Sequence, residues 1–156
     1  MRQINELKIS NSQNLSVNKE MILWLESIIK YKLPSSYITF ITNYNGGFPE
    51  LDTFSNESGE WDVNNFFFID DQSSKESKSP TESVLWNYHN KWDGAKNSIF
   101  PFARDGGGNL FCLDLDFGEN APVIFWTHEN PTPEGTIIAN NFEQFIDNLH
   151  FNPDYI

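Results

Sequence analysis

At 156 residues the chain is long enough to bury a substantial core without disulfide or metal support. One cysteine excludes an internal bridge, and a formal net charge of −12 argues against nucleic acid and anionic lipid as partners. Aromatic residues make up 15%, with 14 phenylalanines, so the core is expected to be built on rings more than on aliphatic side chains. The N-terminus, MRQINELKIS, lacks the apolar stretch of a signal peptide. No run approaches the length of a membrane span, so a soluble, cytoplasmic protein is expected.

Ile4, Leu7 and Ile9 alternate loosely and predict a short strand or extended arm. Ser16 or Asn18 suits the cap of a first helix, whose Met21, Ile22, Leu25, Ile28 and Ile29 form one apolar stripe with Trp24 to the side. Pro34 suits the first position of a second helix, where its missing N–H is not needed. Tyr37, Phe40, Ile41 and Tyr44 give that helix its buried face. Asn45-Gly46-Gly47 then supplies the left-handed residues that stop it, and Phe48-Pro49 begins something extended.

Asp52 to Trp61 is polar and acidic and reads as a loop. Phe66-Phe67-Phe68-Ile69 reads as a short strand buried on both faces, and the charged, Ser-rich Asp70 to Lys78 as a mobile loop. Ser79-Pro80-Thr81-Glu82 has the composition of a helix start, with Val84, Leu85, Tyr88 and Trp92 as the buried face and Gly94 as the end. Ile99–Phe102, Leu110–Leu115 and Pro122–Thr127 predict three strands. The short turns at 104–109 and 118–120 make them an antiparallel meander. Pro131 to Gly135 is a loop by composition. Asn140-Asn141-Phe142-Glu143 then starts a last helix carrying Phe142, Phe145, Ile146 and Leu149. The expected fold is α+β over a single domain, 1–156: one antiparallel sheet, a meander in its second half, with helices packed on it.

Chemistry is sparse along this chain. Gly106-Gly107-Gly108 precedes Asn109 and a strand, with none of the Lys-Ser/Thr that a phosphate loop requires, and reads as a hairpin turn. His89, His128 and His150 lack metal-ligand spacing, so neither metal nor other cofactor is expected. His128-Glu129 at a strand end suits a local hydrogen bond better than half of an acid/base site. Asp114 and Asp116 share one strand face by parity, expected to be an acidic solvent face, with Phe111, Leu113, Leu115 and Phe117 opposite and buried. Cys112, on the carboxylates' side, reads as a packing residue whose pKa its neighbours would raise. No nucleophile–base–acid set assembles, which argues against an enzyme.

Charge is distributed unevenly. No Lys or Arg occurs from Leu33 to Ser74, where Glu50, Asp52, Glu57, Glu60, Asp62, Asp70 and Asp71 fall, and none follows Arg104. Such a field serves solubility, and it also attracts basic proteins. As a contact surface, Glu57, Glu60, Trp61, Asp62, Asp70 and Asp71 come first, with Asp114, Asp116 and Glu119 second. Trp61 suits either an aromatic anchor in a charged rim or a ring folded back over the sheet edge.

Three blocks in order, "LPSSYITFITNYNGGFPE", "IFPFARDGGGNLFCLDL" and "PVIFWTHEN" followed by "NNFEQFIDNL", resemble the SUKH superfamily. That superfamily includes the yeast cell-wall assembly regulator of SMI/KNR type and many bacterial toxin-immunity proteins. Glu26 stands where the family often has an acidic residue. Lys30 stands where a glycine or turn former is common, so the first helix is expected to run slightly longer here. The segment 52–97 carries no matching signature. The resemblance implies a non-catalytic immunity protein that neutralises a cognate toxin by direct binding. An acidic surface suits a basic toxin domain such as a nuclease. The competing implication is a regulatory or scaffold domain that binds cellular proteins with the same fold.

Overall fold

Asn18 fixes where the first helix begins: its carboxamide oxygen accepts the Met21 N–H at 2.9 Å, and α1 (Lys19–Ile29) starts there. The protein was analysed as a computed structural model that describes residues 7–10, 12, 16–70, 80–129 and 131–152. Within α1, Met21, Ile22, Leu25 and Ile29 are buried, as the stripe predicts. The helix ends at once where an extension was expected, because Lys30 itself takes the left-handed conformation (φ 64°) and donates its N–H to the Glu26 carbonyl. A short connector leads to α2 (Ser35–Asn43), with Pro34 extended just outside it and Tyr37, Phe40 and Ile41 buried.

Before α1, β1 (Ile9–Ser10) pairs with β2 (Phe48–Pro49) as a small antiparallel ribbon. Between Asn43 and β2 the Asn45-Gly46-Gly47 segment docks on the chain at 66–69. Gly47 exchanges both backbone hydrogen bonds with Phe66 (3.2 and 2.8 Å), and the buried Asn45 side chain bonds both the N–H and the carbonyl of Ile69 (2.7 and 3.2 Å). Both glycines need their identity. Their φ values are 80° and 122°, and a Cβ on Gly47 would lie 2.6 Å from the Ser10 carbonyl oxygen.

The stretch expected as a loop folds instead into a hairpin, β3 (Thr53–Asn56) and β4 (Gly59–Asp62), with Phe54 opposite Trp61. Its apolar content is one ring per strand, Phe54 and Trp61, and the surrounding carboxylates mask it. The hairpin is tied to the rest by Thr53, which pairs with His150 beyond the last helix.

The main sheet has five antiparallel strands in sequence order: β5 (Asn65–Phe66), β6 (Ile99–Arg104), β7 (Leu110–Asp114), β8 (Val123–Trp126) and β9 (Thr136–Ala139). The aromatic run 66–69 is wholly buried, but only its start pairs in the ladder; Phe68 bridges to Ser83 instead. Pro101 lies at a register shift in β6, where a missing N–H is tolerated. β9 was not anticipated; the β-branched run Thr136-Ile137-Ile138 after Gly135 is the signal for it. The third helix also starts later than expected. Pro80–Glu82 is a 3₁₀ turn, and α3 (Val84–His89) is capped by the Ser83 hydroxyl, which accepts the Trp86 N–H at 3.2 Å. Hydrogen bonds of Phe68 to Glu82 and Val84 hold Ser83 extended between the 3₁₀ turn and the helix, so α3 begins only after it. α3 stops at His89, well short of Gly94. α4 (Phe142–Asp147), capped by Asn141, closes the domain.

Rings from every layer meet between α2, α4 and the sheet. Phe40 contacts Phe66 at 4.7 Å and Phe142 at 5.4 Å, Phe102 contacts Phe142 at 5.2 Å, and Phe111 contacts Phe145 at 5.5 Å. These tilted and edge-on pairs each add about 0.5–1.5 kcal/mol beyond area burial.

Two substitutions test this frame in chemical denaturation. Asn45→Ala strips partners from two buried backbone groups and is expected to lower the unfolding free energy by about 2–4 kcal/mol. Lys30→Gly relieves the left-handed position and is expected to raise it, by up to about 1 kcal/mol. A loss in the second would show that Lys30 is not strained there.

Candidate functional site

Several surface carboxylates are occupied with the fold. Glu26 accepts the Leu33 N–H at 2.7 Å and so holds the connector against α1. Glu119, far along the chain, accepts both the N–H (2.9 Å) and the hydroxyl (2.8 Å) of Ser35. Pro34 offers α2 no side-chain cap, so Glu119 supplies the acceptor and a negative charge at the positive end of that helix.

At the hairpin end, Glu57 is exposed in the β3–β4 turn, and Glu60 and Asp62 point outward from β4. Trp61, between them, points inward by strand parity. Its ring lies 6.3 Å from Phe54 and 6.4 Å from Phe125, so it folds over the sheet, and its half-buried edge faces a groove of about 460 Å³. Glu60, Asp62 and Asp105 line that groove with Trp61, Asn109 and Phe125. Asp105 belongs to the glycine turn between β6 and β7. Its carboxylate accepts the N–H groups of Gly107 (2.9 Å) and Asn109 (2.8 Å) and the Asn109 amide (2.9 Å), which makes the turn rigid. Sequence reasoning did not place Asp105 with Glu60 and Asp62. The pairing of Asn65 with Arg104, which brings the end of β4 beside the turn, is visible only in the fold.

The second set of carboxylates lies at the opposite end of β7. Asp114, expected on a solvent face, is buried: β7 ends there and the chain tightens into a 3₁₀ segment, Leu115–Asn120. Its carboxylate accepts the Asp116 N–H at 3.1 Å and pairs with Lys96 Nζ at 3.0 Å. Burial alone would raise the Asp114 pKa, but the Lys96 hydrogen bond and charge and the Asp116 N–H together hold it below the ordinary carboxylate range. Asp116 is exposed and also reaches Lys96, at 3.3 Å. Phe117, expected to be buried, is 62% exposed, because the 3₁₀ turn breaks strand parity after Asp114. Asp70 stands apart from both ends, accepting the Ser83 hydroxyl at the start of α3, and Asp71 lies outside the described residues.

The groups with nucleophilic or acid/base potential are dispersed. His128 Nε2 lies 2.8 Å from the Gly107 carbonyl, and the backbone N–H of His128 donates to Asn109 Oδ1, at the end of β7 remote from Asp114. Cys112 is buried beside Ile99 and Ile124, and burial pushes its thiol well up. Desolvation lowers Lys91 to about 8, yet its ammonium is engaged with the carbonyls of Lys96 and Ile99, both at 2.8 Å, and with the Tyr88 ring at 4.0 Å. Among the described residues no three His, Cys, Asp or Glu side chains cluster to hold a metal, and no helix is long and apolar enough to cross a membrane.

The molecule is thus a small α+β domain in which a two-helix corner is fastened by an Asn-Gly-Gly segment to the edge of a meander sheet, leaving turns at both sheet ends. Residues 16–148 match the sequence profile of the SMI1 / KNR4 family (SUKH-1), and the chain belongs to that family. It is also similar to the SPbeta prophage-derived uncharacterized protein YokK of Bacillus subtilis (strain 168), with 29% identity over 97% of this chain and 85% of the relative.

The Asp114–Lys96 pair carries a sign that can be measured. A carboxyl whose folded pKa is depressed contributes stability above its unfolded pKa, near 4, and loses it as pH falls through the folded value. Asp114→Asn is therefore expected to lower stability at pH 7 and to flatten the acid limb below about pH 4, read from urea midpoints across pH. An unchanged acid limb would remove Asp114 from the groups that govern it.

Proposed function

We propose that this protein is a cytoplasmic, non-enzymatic immunity protein that binds a cognate toxin directly, with the hairpin end of the sheet as its contact surface. The observation that carries the reading is the groove beside β4. There Glu60 and Asp62 stand with Asp105 over an aromatic wall of Trp61 and Phe125, and Glu57 is exposed in the turn of the same hairpin. No Lys or Arg occurs from 33 to 74 to neutralise Glu57, Glu60 and Asp62. A basic toxin domain, such as a nuclease, meets both a favourable field and a rigid turn that needs little ordering on binding. Family membership supports the same reading.

The test is co-expression with the product of the flanking gene. Cells are expected to survive that toxin and few others; death despite co-expression, with the complex absent from pull-downs, would sink the immunity reading and favour a scaffold role. Glu57→Lys with Glu60→Lys is expected to slow association by roughly tenfold or more at low salt while leaving the circular dichroism spectrum unchanged. An unaltered association rate would move the contact surface away from the hairpin.

A further inference from the structure

Between α1 and α2 lies a second groove, of about 450 Å³, which shares no lining residue with the one beside β4. Its apolar lining comes from both helices and from the corner that joins them: Ile22 and Leu23 on α1, Leu33 in the connector and Ile38 on α2. Leu23 is 50% exposed, a large apolar side chain left in water. The polar lining divides into two kinds. Asn18, Glu26 and Thr42 serve the backbone, the first two accepting the N–H groups of Met21 and Leu33 and the third donating its hydroxyl to the Ile38 carbonyl. Lys19 and Lys32 are exposed, and their ammonium groups make no ion pair or hydrogen bond among the described residues. Lys91, Lys96 and Arg104, by contrast, are all engaged within the fold.

Lys19 opens α1 and Lys32 lies beyond its last turn, so an unpaired cation stands toward each end of the apolar lining. A neighbouring hollow of about 330 Å³ shares Leu23, Glu26 and Lys32 with the groove and adds Lys30. Three lysines thus face one carboxylate, itself bonded to Leu33, on a protein whose net charge is −12. An occupant of this groove must carry the inverse pattern. A neutral apolar segment leaves the lysines unanswered, a basic one is repelled by them, and a single-headed amphiphile answers one end only. We propose that the α1–α2 groove docks an acidic amphipathic helix of a partner protein, its apolar stripe on Ile22, Leu23 and Ile38 and its carboxylates at Lys19 and Lys32. This occupant has the opposite charge to the one the β4 groove suits. The two surfaces therefore do not compete for one ligand, and the proposal does not depend on the toxin reading.

Amide chemical shifts of the isotope-labelled protein decide this. The probe is a synthetic helical peptide of about 15 residues, with leucines along one face and glutamates flanking them. Its counterpart carries lysine in place of every glutamate. The acidic peptide is expected to shift the amides of α1 and α2 with a Kd of about 100 μM or tighter, and the lysine peptide to leave them unmoved. Leu23→Gln keeps the helix propensity and removes the exposed apolar contact, and Lys19→Glu with Lys32→Glu reverses the rim. Each is expected to weaken the acidic peptide by roughly tenfold or more at low salt, with the protein's melting temperature unchanged. Weaker or non-saturating binding to the wild type would overturn the proposal, as would equal responses to the two peptides or indifference to either variant. Shifts of the same amides with decanoate but not with the acidic peptide would make the groove a site for a small amphiphile and overturn it equally.

Discussion

Asn45 meets Ile69 with both ends of its carboxamide, and that contact fastens the helical half of the protein to the sheet half. A side-chain amide presents a donor and an acceptor in the spacing of a peptide group, so it imitates one more residue of ladder where a strand would be too long. Gly47 makes a genuine bridge two residues later, and Gly46 lets the chain turn between them where any Cβ would come within 3.0 Å of Phe68. Buried polar groups are costly when unpaired, so the arrangement tolerates very few alternative sequences. With it in place, α2 can only lie with Tyr37 and Phe40 toward the sheet, and the aromatic core follows.

The fold was legible where local chemistry and burial agree. Asn18, Pro34, Asn45-Gly46-Gly47 and Asn141 mark helix boundaries through hydrogen bonds and dihedral preferences that act within a few residues, and each appears within a residue or so of its expected place. The misreadings have a common cause. The β3–β4 hairpin hides its alternation behind Glu57, Glu60 and Asp62, and α3 yields its first turn to backbone bonds with Phe68, which no local pattern reveals. Strand parity carried past Asp114 put Phe117 inside, whereas a 3₁₀ turn ends the strand and turns the ring outward.

The surface was less legible than the fold because a carboxylate in a sequence does not declare its employer. Glu26 and Glu119 hold the helix corner, Asp105 holds its own turn, and Asp114 is buried with Lys96. An even view of the net charge would treat all of these as available for a partner. Glu60 and Asp62 accept the hydroxyls of Ser55 (3.3 Å) and Thr53 (2.9 Å), yet with Glu57 they keep their charge along one exposed hairpin, and Asp105 adds its field to the groove that Glu60 and Asp62 line. Asp105 shows that the two roles can coincide: the bonds that spend its lone pairs on the turn leave its charge in place.

The two ends of β7 thus make opposite use of aromatic residues. At the hairpin end Trp61 is drawn down onto Phe54 and Phe125, so the ring is prepaid as structure and offers a partner only its edge. At the other end Phe117 has no such support and stands in water, on a turn that Glu119 and the Lys96–Asp116 pair keep from collapsing onto the body. An exposed ring on a constrained turn gains more on burial than a ring already half packed, because little further ordering is required of it. The charges beside the two rings differ as well. Glu60, Asp62 and Asp105 line the groove beside Trp61 without a Lys or Arg among its lining residues. Beside Phe117 the carboxylates are already answered within the chain, Asp116 by Lys96 and Glu119 by Ser35, so the ring rather than the charge is what that turn presents to solvent.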